Sequence, residues 1–255
     1  MPCTPPVFRV KLASNAQDVR AAQRLRYEVF VKELGGDGPL VDHDAKLEVD
    51  RFDAYFDHLL LLDDAKGGAV VGVYRLLRDD QALLAGQFYS EDEYDLSTLR
   101  ASGRRLLELG RSCLAKPYRG GAGMYHLWNS LARYITDHNV EILFGVASFH
   151  GTDLNRLAQP LTLLHHRYLA PPALRVRARG AHRQPMTLVP AHTLDRRAAM
   201  LEVPALIKAY LRMGGYVGDG AYIDHQFNTT DVCLVMDTER LSDQRKSLYL
   251  KGITG

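Results

Sequence analysis

Leu106-Leu107-Glu108-Leu109-Gly110-Arg111-Ser112-Cys113-Leu114, followed closely by Pro117-Tyr118-Arg119-Gly120-Gly121-Ala122-Gly123, decides how this chain folds. The first stretch is a short, largely apolar run, which predicts a buried strand. The second is a glycine-rich turn. Behind it Met124, Leu127, Trp128, Leu131, Tyr134 and Ile135 recur three and four apart, which predicts a helix with one apolar face. Strand, glycine loop and helix together make a phosphate cradle. Backbone N–H groups are unpaired at a helix start, and glycine lets an anion come close. Glycines also make ordinary turns, and the closing Gly-Lys-Ser/Thr of a nucleotide P-loop is absent.

Working outward, Ser14-Asn15-Ala16-Gln17 reads as a helix start. Val19, Ala22, Arg26 and Val29 then share one face, with Arg26 inside the apolar stripe. His58 to Leu62 and Ala69 to Leu77 read as strands of a hairpin, turned by Asp63 to Gly68. Val140 to Phe149 is another apolar strand. A short helix is expected near Asp153, interrupted at Pro160. Val203 to Met213 reads as a helix stopped by Gly214-Gly215, and Val232 to Met236 as a last strand. Asp224, Asn228, Thr229, Thr230 and Asp231 beside it suit caps and turns. The predicted fold is α/β: a mixed central sheet flanked by helices.

The composition is that of a globular chain with a real core: 255 residues, 46% hydrophobic and 24% charged. Disordered and fibrous classes are excluded. A net charge of +2 gives no argument for nucleic acid. The longest aliphatic run, near Leu59 to Leu62, is far short of the ~20 residues a membrane span needs. Met1-Pro2-Cys3-Thr4-Pro5-Pro6 lacks the pattern of a signal peptide. Cys3, Cys113 and Cys233 lack disulfide or zinc spacing, so a reducing cytoplasm and no metal are expected.

The charge is uneven. Leu154 to Leu194 holds no Asp or Glu, yet it holds Arg156, Arg167, Arg175, Arg177, Arg179 and Arg183. That stretch carries +6, so the rest of the chain carries −4. Arginine without lysine suits phosphate or carboxylate recognition. Pro171-Pro172, Gly180, Pro185 and Pro190 make residues 154–200 a basic, loop-rich insertion within one domain spanning 1–255. It is either a solvated face or a docking patch. Ser112 and Cys113 have no histidine placed by sequence to activate them. His58 and Asp63, ends of a His-x4-Asp match, would stand ~16 Å apart on opposite faces of a strand.

The element order resembles the GNAT acyltransferases, whose phosphate loop runs Gln/Arg-x-x-Gly-x-Gly/Ala. Gly121-Ala122-Gly123 supplies its Gly-x-Gly part; Tyr118 stands where Gln or Arg is expected, and Arg119 comes one position late. Arg26-Tyr27-Glu28-Val29-Phe30, Asp50 with Asp53, Arg75, and Glu108-Leu109-Gly110-Arg111 also look like the acyl-homoserine-lactone synthases. A fuller resemblance, along nearly the whole chain, is to the ornithine N-acyltransferase family. It is carried by Val71-Gly72-Val73-Tyr74-Arg75, Leu109-Gly110-Arg111-Ser112-Cys113, Ala147-Ser148-Phe149-His150-Gly151 and Phe227-Asn228-Thr229-Thr230-Asp231-Val232.

The resemblance implies a GNAT-like sheet with a C-terminal helix-strand extension. It implies transfer of a 3-hydroxyacyl chain from acyl carrier protein to the α-amine of L-ornithine, the first step of ornithine-lipid synthesis. The donor would be the carrier's acyl-phosphopantetheine, with no permanently bound cofactor. A carrier arm brings one phosphodiester and asks less of the altered loop than the pyrophosphate of coenzyme A. Rival readings are an acyl-homoserine-lactone synthase, an acetyl-CoA N-acetyltransferase, and a non-catalytic acyl-carrier-binding protein.

The residues suit that chemistry in part. An amine attacking a thioester must first lose a proton, and Glu108 is the candidate base, acting through a water; its structural alternative is an ion pair with Arg111 or Arg26. Strand alternation sets Glu108 and Arg111 on opposite faces. Both serve one site only if a bulge lies between Leu109 and Ser112, and the N–H it frees would serve as an oxyanion donor. Arg26, Arg75, Asp50 and Asp53, with Phe30, form the expected substrate cluster. Arginine suits a carboxylate and Asp an ammonium; the alternative is a structural lock. Arg119, Gly120, Gly121 and Gly123 would hold the phosphopantetheine. Arg175, Arg177 and Arg179 would dock the acidic carrier, with an anionic inner membrane leaflet as the rival partner.

Overall fold

The computed structural model describes residues 5–240, so Cys3 lies outside the described residues. Two compact units divide it: residues 5–86 with Leu109–Asn139, and Gln87–Glu108 with 140–240.

The first unit holds β1 (Phe8–Leu12), α1 (Ala16–Arg26), β2 (Asp57–Asp63), β3 (Ala69–Arg78), α2 (Asp79–Ala85), most of β4 (Leu106–Leu114) and α3 (Gly123–Asp137). The strand order is β1-β2-β3-β4. β1, β2 and β3 pair antiparallel, with Leu12 opposite Leu59 and His58 opposite Arg75. The hairpin turn is closed as the sequence predicts. Asp63 accepts the Ala65 N–H, and Gly67 and Gly68 adopt φ of 67° and 76°.

Strand alternation sorts the unit's core. Leu60, Leu62 and Val73 pack with Ala22, Leu25 and Val29 on the α1 side. On the α3 side a Cβ at Gly72 would meet Leu114 Cδ2 at 2.6 Å and Leu127 Cδ1 at 3.2 Å, so a side chain there would have to displace those leucines beneath the helix. Asn15 caps α1 by accepting the Asp18 N–H at 2.9 Å. Past Arg26 the helix widens into a π segment, Tyr27–Glu33. Tyr27, Val29 and Val31 are its buried residues.

The second unit holds β5 (Ile142–His150), α4 (Leu154–Tyr168), α5 (Arg196–Glu202), α6 (Ala205–Arg212), β6 (Ala221–Asp224) and β7 (Thr229–Asp237). The start of β4, Leu106–Glu108, runs parallel to β5. β5 and β7 pair antiparallel over their full lengths, followed by β6 and the short strand Arg183–Gln184. The sheet is therefore mixed.

Pro160 does not interrupt α4, contrary to expectation. A proline inside a helix costs about 3 kcal/mol. Here Pro160 is buried together with Leu157, Leu161 and Leu164, and that burial offsets the lost backbone bond. The acid-free stretch is correspondingly less loop-like than its prolines suggest, since α4 fills its first third. Gly214 stops α6 with φ of 97°. No helix among the described residues is long and apolar enough to cross a membrane.

Candidate active site

Between α1, β2 and β3 of the first unit lies a buried cluster of opposite charges. Arg26 and Arg75 are 0% exposed. Arg26 donates to both oxygens of Asp53, at 2.6 Å from Nη1 and 2.9 Å from Nη2. Its Nε donates to Glu48 Oε2 and its Nη2 to the Glu48 carbonyl. Arg75 Nη1 donates to Asp53 Oδ1 at 2.8 Å and also to Asp50 Oδ2. Arg111 Nε donates to Glu48 Oε1 at 3.1 Å. Gln23 donates to Asp53 Oδ2 at 2.9 Å, and His58 Nε2 lies 2.9 Å from the Asp53 carbonyl.

Three guanidinium groups thus meet three carboxylates. Burial works against ionised Glu48 and Asp53, but the surrounding arginines outweigh it. Glu48 falls from 4.5 to about 2, and Asp53 is held well below the usual carboxylate range. Burial likewise pushes His58 down, which favours the neutral ring with Nε2–H donating to Asp53. Arg26, Asp53, Glu48 and Arg75 form the closed interior. Asp50 and Arg111, each with 16% of the side chain exposed, form its rim, and Phe30 lies 5.9 Å beneath the Arg111 guanidinium. Glu48 was not singled out from the sequence. It sits in a two-residue strand, Leu47–Glu48, too short to show a pattern.

β4 carries the irregularity expected near Leu109–Ser112. Arg111 has φ of +51°, left-handed backbone inside a strand, and pairing to β5 covers only Leu106–Glu108. Glu108 is buried. Its Oε2 accepts the Tyr89 N–H at 2.7 Å and its Oε1 the Ser90 N–H at 2.8 Å. A carboxylate offers about four acceptor positions, and these two bonds fix its orientation.

The glycine loop opens α3 in the first unit. Gly120 has φ of 74°, Gly121 has open space where a Cβ would stand, and Gly123 begins the helix. No side chain caps that helix start, so its first N–H groups suit an anion. Arg119 is turned to Glu33, donating through both terminal nitrogens, with Nη2 at 2.8 Å. Tyr118 donates its hydroxyl to Asp63 at 2.8 Å. Asp63 and His58 thus serve separate ends of β2. Cys113 is buried and its thiol is pushed up to about 12, which does not suit a nucleophile.

In the second unit Arg177 and Arg179 are exposed and alternate with buried Val176 and Ala178. Arg175 is half-buried and donates to the Ala170 carbonyl at 2.8 Å. Arg177 stands 3.7 Å from Asp219. Asp224 accepts the Gln226 and Phe227 N–H groups, the turn chemistry expected of it. Glu93, Asp224 and Asp231 each bring one oxygen within 4.8 Å of the others, the described residues most able to hold a cation.

Residues 25–129 match the acetyltransferase (GNAT) domain family. The L-ornithine N(alpha)-acyltransferase of Rhodobacter capsulatus is 56% identical over 100% of this chain and 99% of its own length. That of Brucella abortus is 40% identical over 95% of this chain and 88% of its own. Among solved structures, the AHL synthase LasI superposes with a TM-score of 0.52 at 15% identity, covering 97% of this chain and 96% of its own. The CoA-dependent acyl-homoserine lactone synthase BjaI, solved with SAM and isopentyl-CoA, gives 0.53 at 14% identity, covering 98% and 90%. Those two establish the fold, and the two sequence relatives establish more: this chain belongs to the L-ornithine N(alpha)-acyltransferase family and is an acyltransferase of GNAT fold.

Proposed function

We propose that this enzyme moves a 3-hydroxyacyl chain from the phosphopantetheine of acyl carrier protein to the α-amine of L-ornithine, the first step of ornithine-lipid synthesis. The observation that carries the reading is the 56% identity, over the whole chain, to a relative named for ornithine acylation. The donor assignment rests on the resemblance together with the open, uncapped start of α3. Residues 1–255 act as one catalytic domain.

In this reading the amine nitrogen attacks the thioester carbon. The carbon–sulfur bond breaks, an amide forms, and the carrier leaves as its thiol. Glu108, oriented by Tyr89 and Ser90, takes the amine proton through a water. The kink at Arg111 exposes backbone N–H for the developing oxyanion, worth about 3 kcal/mol. Arg111 and Asp50, at the rim, meet the carboxylate and ammonium of the amino acid. Arg26, Arg75 and Asp53 hold them in place, and Phe30 braces Arg111. Gly120, Gly121 and Gly123 receive the phosphodiester, with Arg119 beside them once it leaves Glu33.

Mass spectrometry of products tests this directly. The purified enzyme is offered ornithine, lysine or S-adenosylmethionine, each with 3-hydroxyacyl carrier protein or acetyl-CoA. N-acyl-ornithine from the carrier alone is expected. Acetylated product, or an acyl-homoserine lactone, would overturn the reading.

A further inference from the structure

The basic half of the chain extends beyond the stretch that lacks acids. Residues 154–213 hold ten Lys and Arg against Asp195 and Glu202, so the span carries +8 and the rest of the chain −6. Among the described residues outside this span, Arg26, Arg75, Arg78, Arg100 and Arg104 all stand in ion pairs. Arg196, Arg197 and Arg212 are exposed, and no described carboxylate pairs with them. Asp195 spends one oxygen on the Arg197 and Ala198 N–H groups, capping α5.

An apolar side chain stands among these charges. Leu201, near the end of α5, is 74% exposed. Arg197 lies four residues before it, one helical turn along the same face. Lys208 of α6 donates to the Leu201 carbonyl at 3.1 Å, placing its ammonium beside the same turn. An outward leucine with Arg197 and Lys208 beside it, on a corner that also bears Arg196 and Arg212, fits a surface with apolar depth and negative charge. Cationic stems lie along such a surface while their heads pair with phosphates. A folded acidic protein offers the charge without the depth.

We infer that the α5–α6 corner, through Leu201, Arg196, Arg197, Lys208 and Arg212, docks on an anionic phospholipid bilayer. The inference rests on the lipid-forming reading above, because a long-chain N-acyl amino acid partitions into a bilayer as it is made. The association is peripheral and weakens with salt.

Cosedimentation with vesicles tests it. The full chain is mixed with phosphatidylglycerol–phosphatidylcholine vesicles or with phosphatidylcholine alone, beside Leu201→Glu and Arg196→Glu/Arg197→Glu variants. Unfolding midpoints confirm that the variants fold. The native protein is expected to bind the anionic vesicles only. Each variant is expected to bind about tenfold less, with unchanged turnover of carrier-bound substrate free of lipid. Native protein that ignores anionic vesicles, or variants that bind as well as native, would overturn the inference. So would variants that keep vesicle binding but raise the KM for carrier, since the patch would then belong to the protein donor. Failure to acylate ornithine leaves the vesicle readout intact and counts against the reaction alone.

Discussion

Arg26 holds Asp53 in a two-pronged grip, 2.6 and 2.9 Å, with neither side chain reaching solvent to any useful extent. Asp53 in turn receives Arg75 and Gln23 and anchors His58 through its carbonyl. One carboxylate thus organises α1, the loop before β2, and β2–β3. Asp53→Asn leaves two buried guanidinium groups short of counter-charge. Removing one partner of such a pair costs about 3–5 kcal/mol. Urea unfolding should show that loss, while Asp50→Asn, at the rim, should cost far less. Equal costs would mean that the rim is as structural as the interior.

The same cluster sets an acid sensitivity. Glu48 and Asp53 have depressed pKa values in the fold, so they bind fewer protons there than in the unfolded chain. Their stabilisation is present above their unfolded values and is lost as pH falls through the folded ones. His58 is also depressed from 6.5 and resists protonation in the fold, so stability begins to fall once pH drops below about 6.5. Unfolding free energy should therefore decline in two stages, first below 6.5 and then below about 4. His58→Gln should shrink the first stage without touching the second, leaving in the first the part that His165, also pushed down by burial, supplies. A first stage that keeps its full size in that variant would assign it to other groups.

Glu108 admits a sharper test, because its structural and catalytic roles predict different readouts. Both oxygens accept backbone N–H groups, so Glu108→Gln sets an amide NH2 against a donor and destabilises by about 1–3 kcal/mol. If Glu108 also takes the amine proton, kcat falls by about 10²–10⁴ and the acidic limb of the pH–rate profile disappears. A folded variant with a normal pH profile would confine Glu108 to holding Tyr89 and Ser90.

Much of this architecture was legible from local pattern. The hairpin was fixed by Val- and Leu-rich runs around Gly67-Gly68, and α3 by its three-and-four spacing. The kink at Arg111 followed from a contradiction: alternation separates Glu108 from Arg111, and the proposed chemistry needs both. Arg26 stood out as a charge in an apolar stripe. What stayed hidden depends on distant partners. Glu48 has no local signature, since its role comes from Arg26 and Arg111, which are 22 and 63 residues away. The continuity of α4 through Pro160 depends on burial that propensity does not register. The engagement of Arg119 by Glu33 joins positions 86 residues apart.

That engagement separates two ways in which the proposed carrier donor would be held. Arg177, in the two-residue strand Arg177–Ala178, and Arg179, just past its end, are exposed, suited to steering an acidic protein from a distance. Arg119 beside the glycine loop suits direct contact with a phosphodiester. Arg175→Glu, Arg177→Glu and Arg179→Glu together should raise the KM for carrier about tenfold at low salt, and added salt should erase most of the difference. Arg119→Ala should raise the same KM with less dependence on salt. It should also weaken binding of isolated acyl-phosphopantetheine, which the triple variant should leave alone. Glu33→Gln, by loosening Arg119, should act in the opposite sense and lower the KM. Steady-state kinetics with whole carrier and with the isolated arm resolve the two. If the triple variant kept native kinetics at every salt concentration, docking would have to be sought elsewhere on the surface, whatever Arg119 contributed.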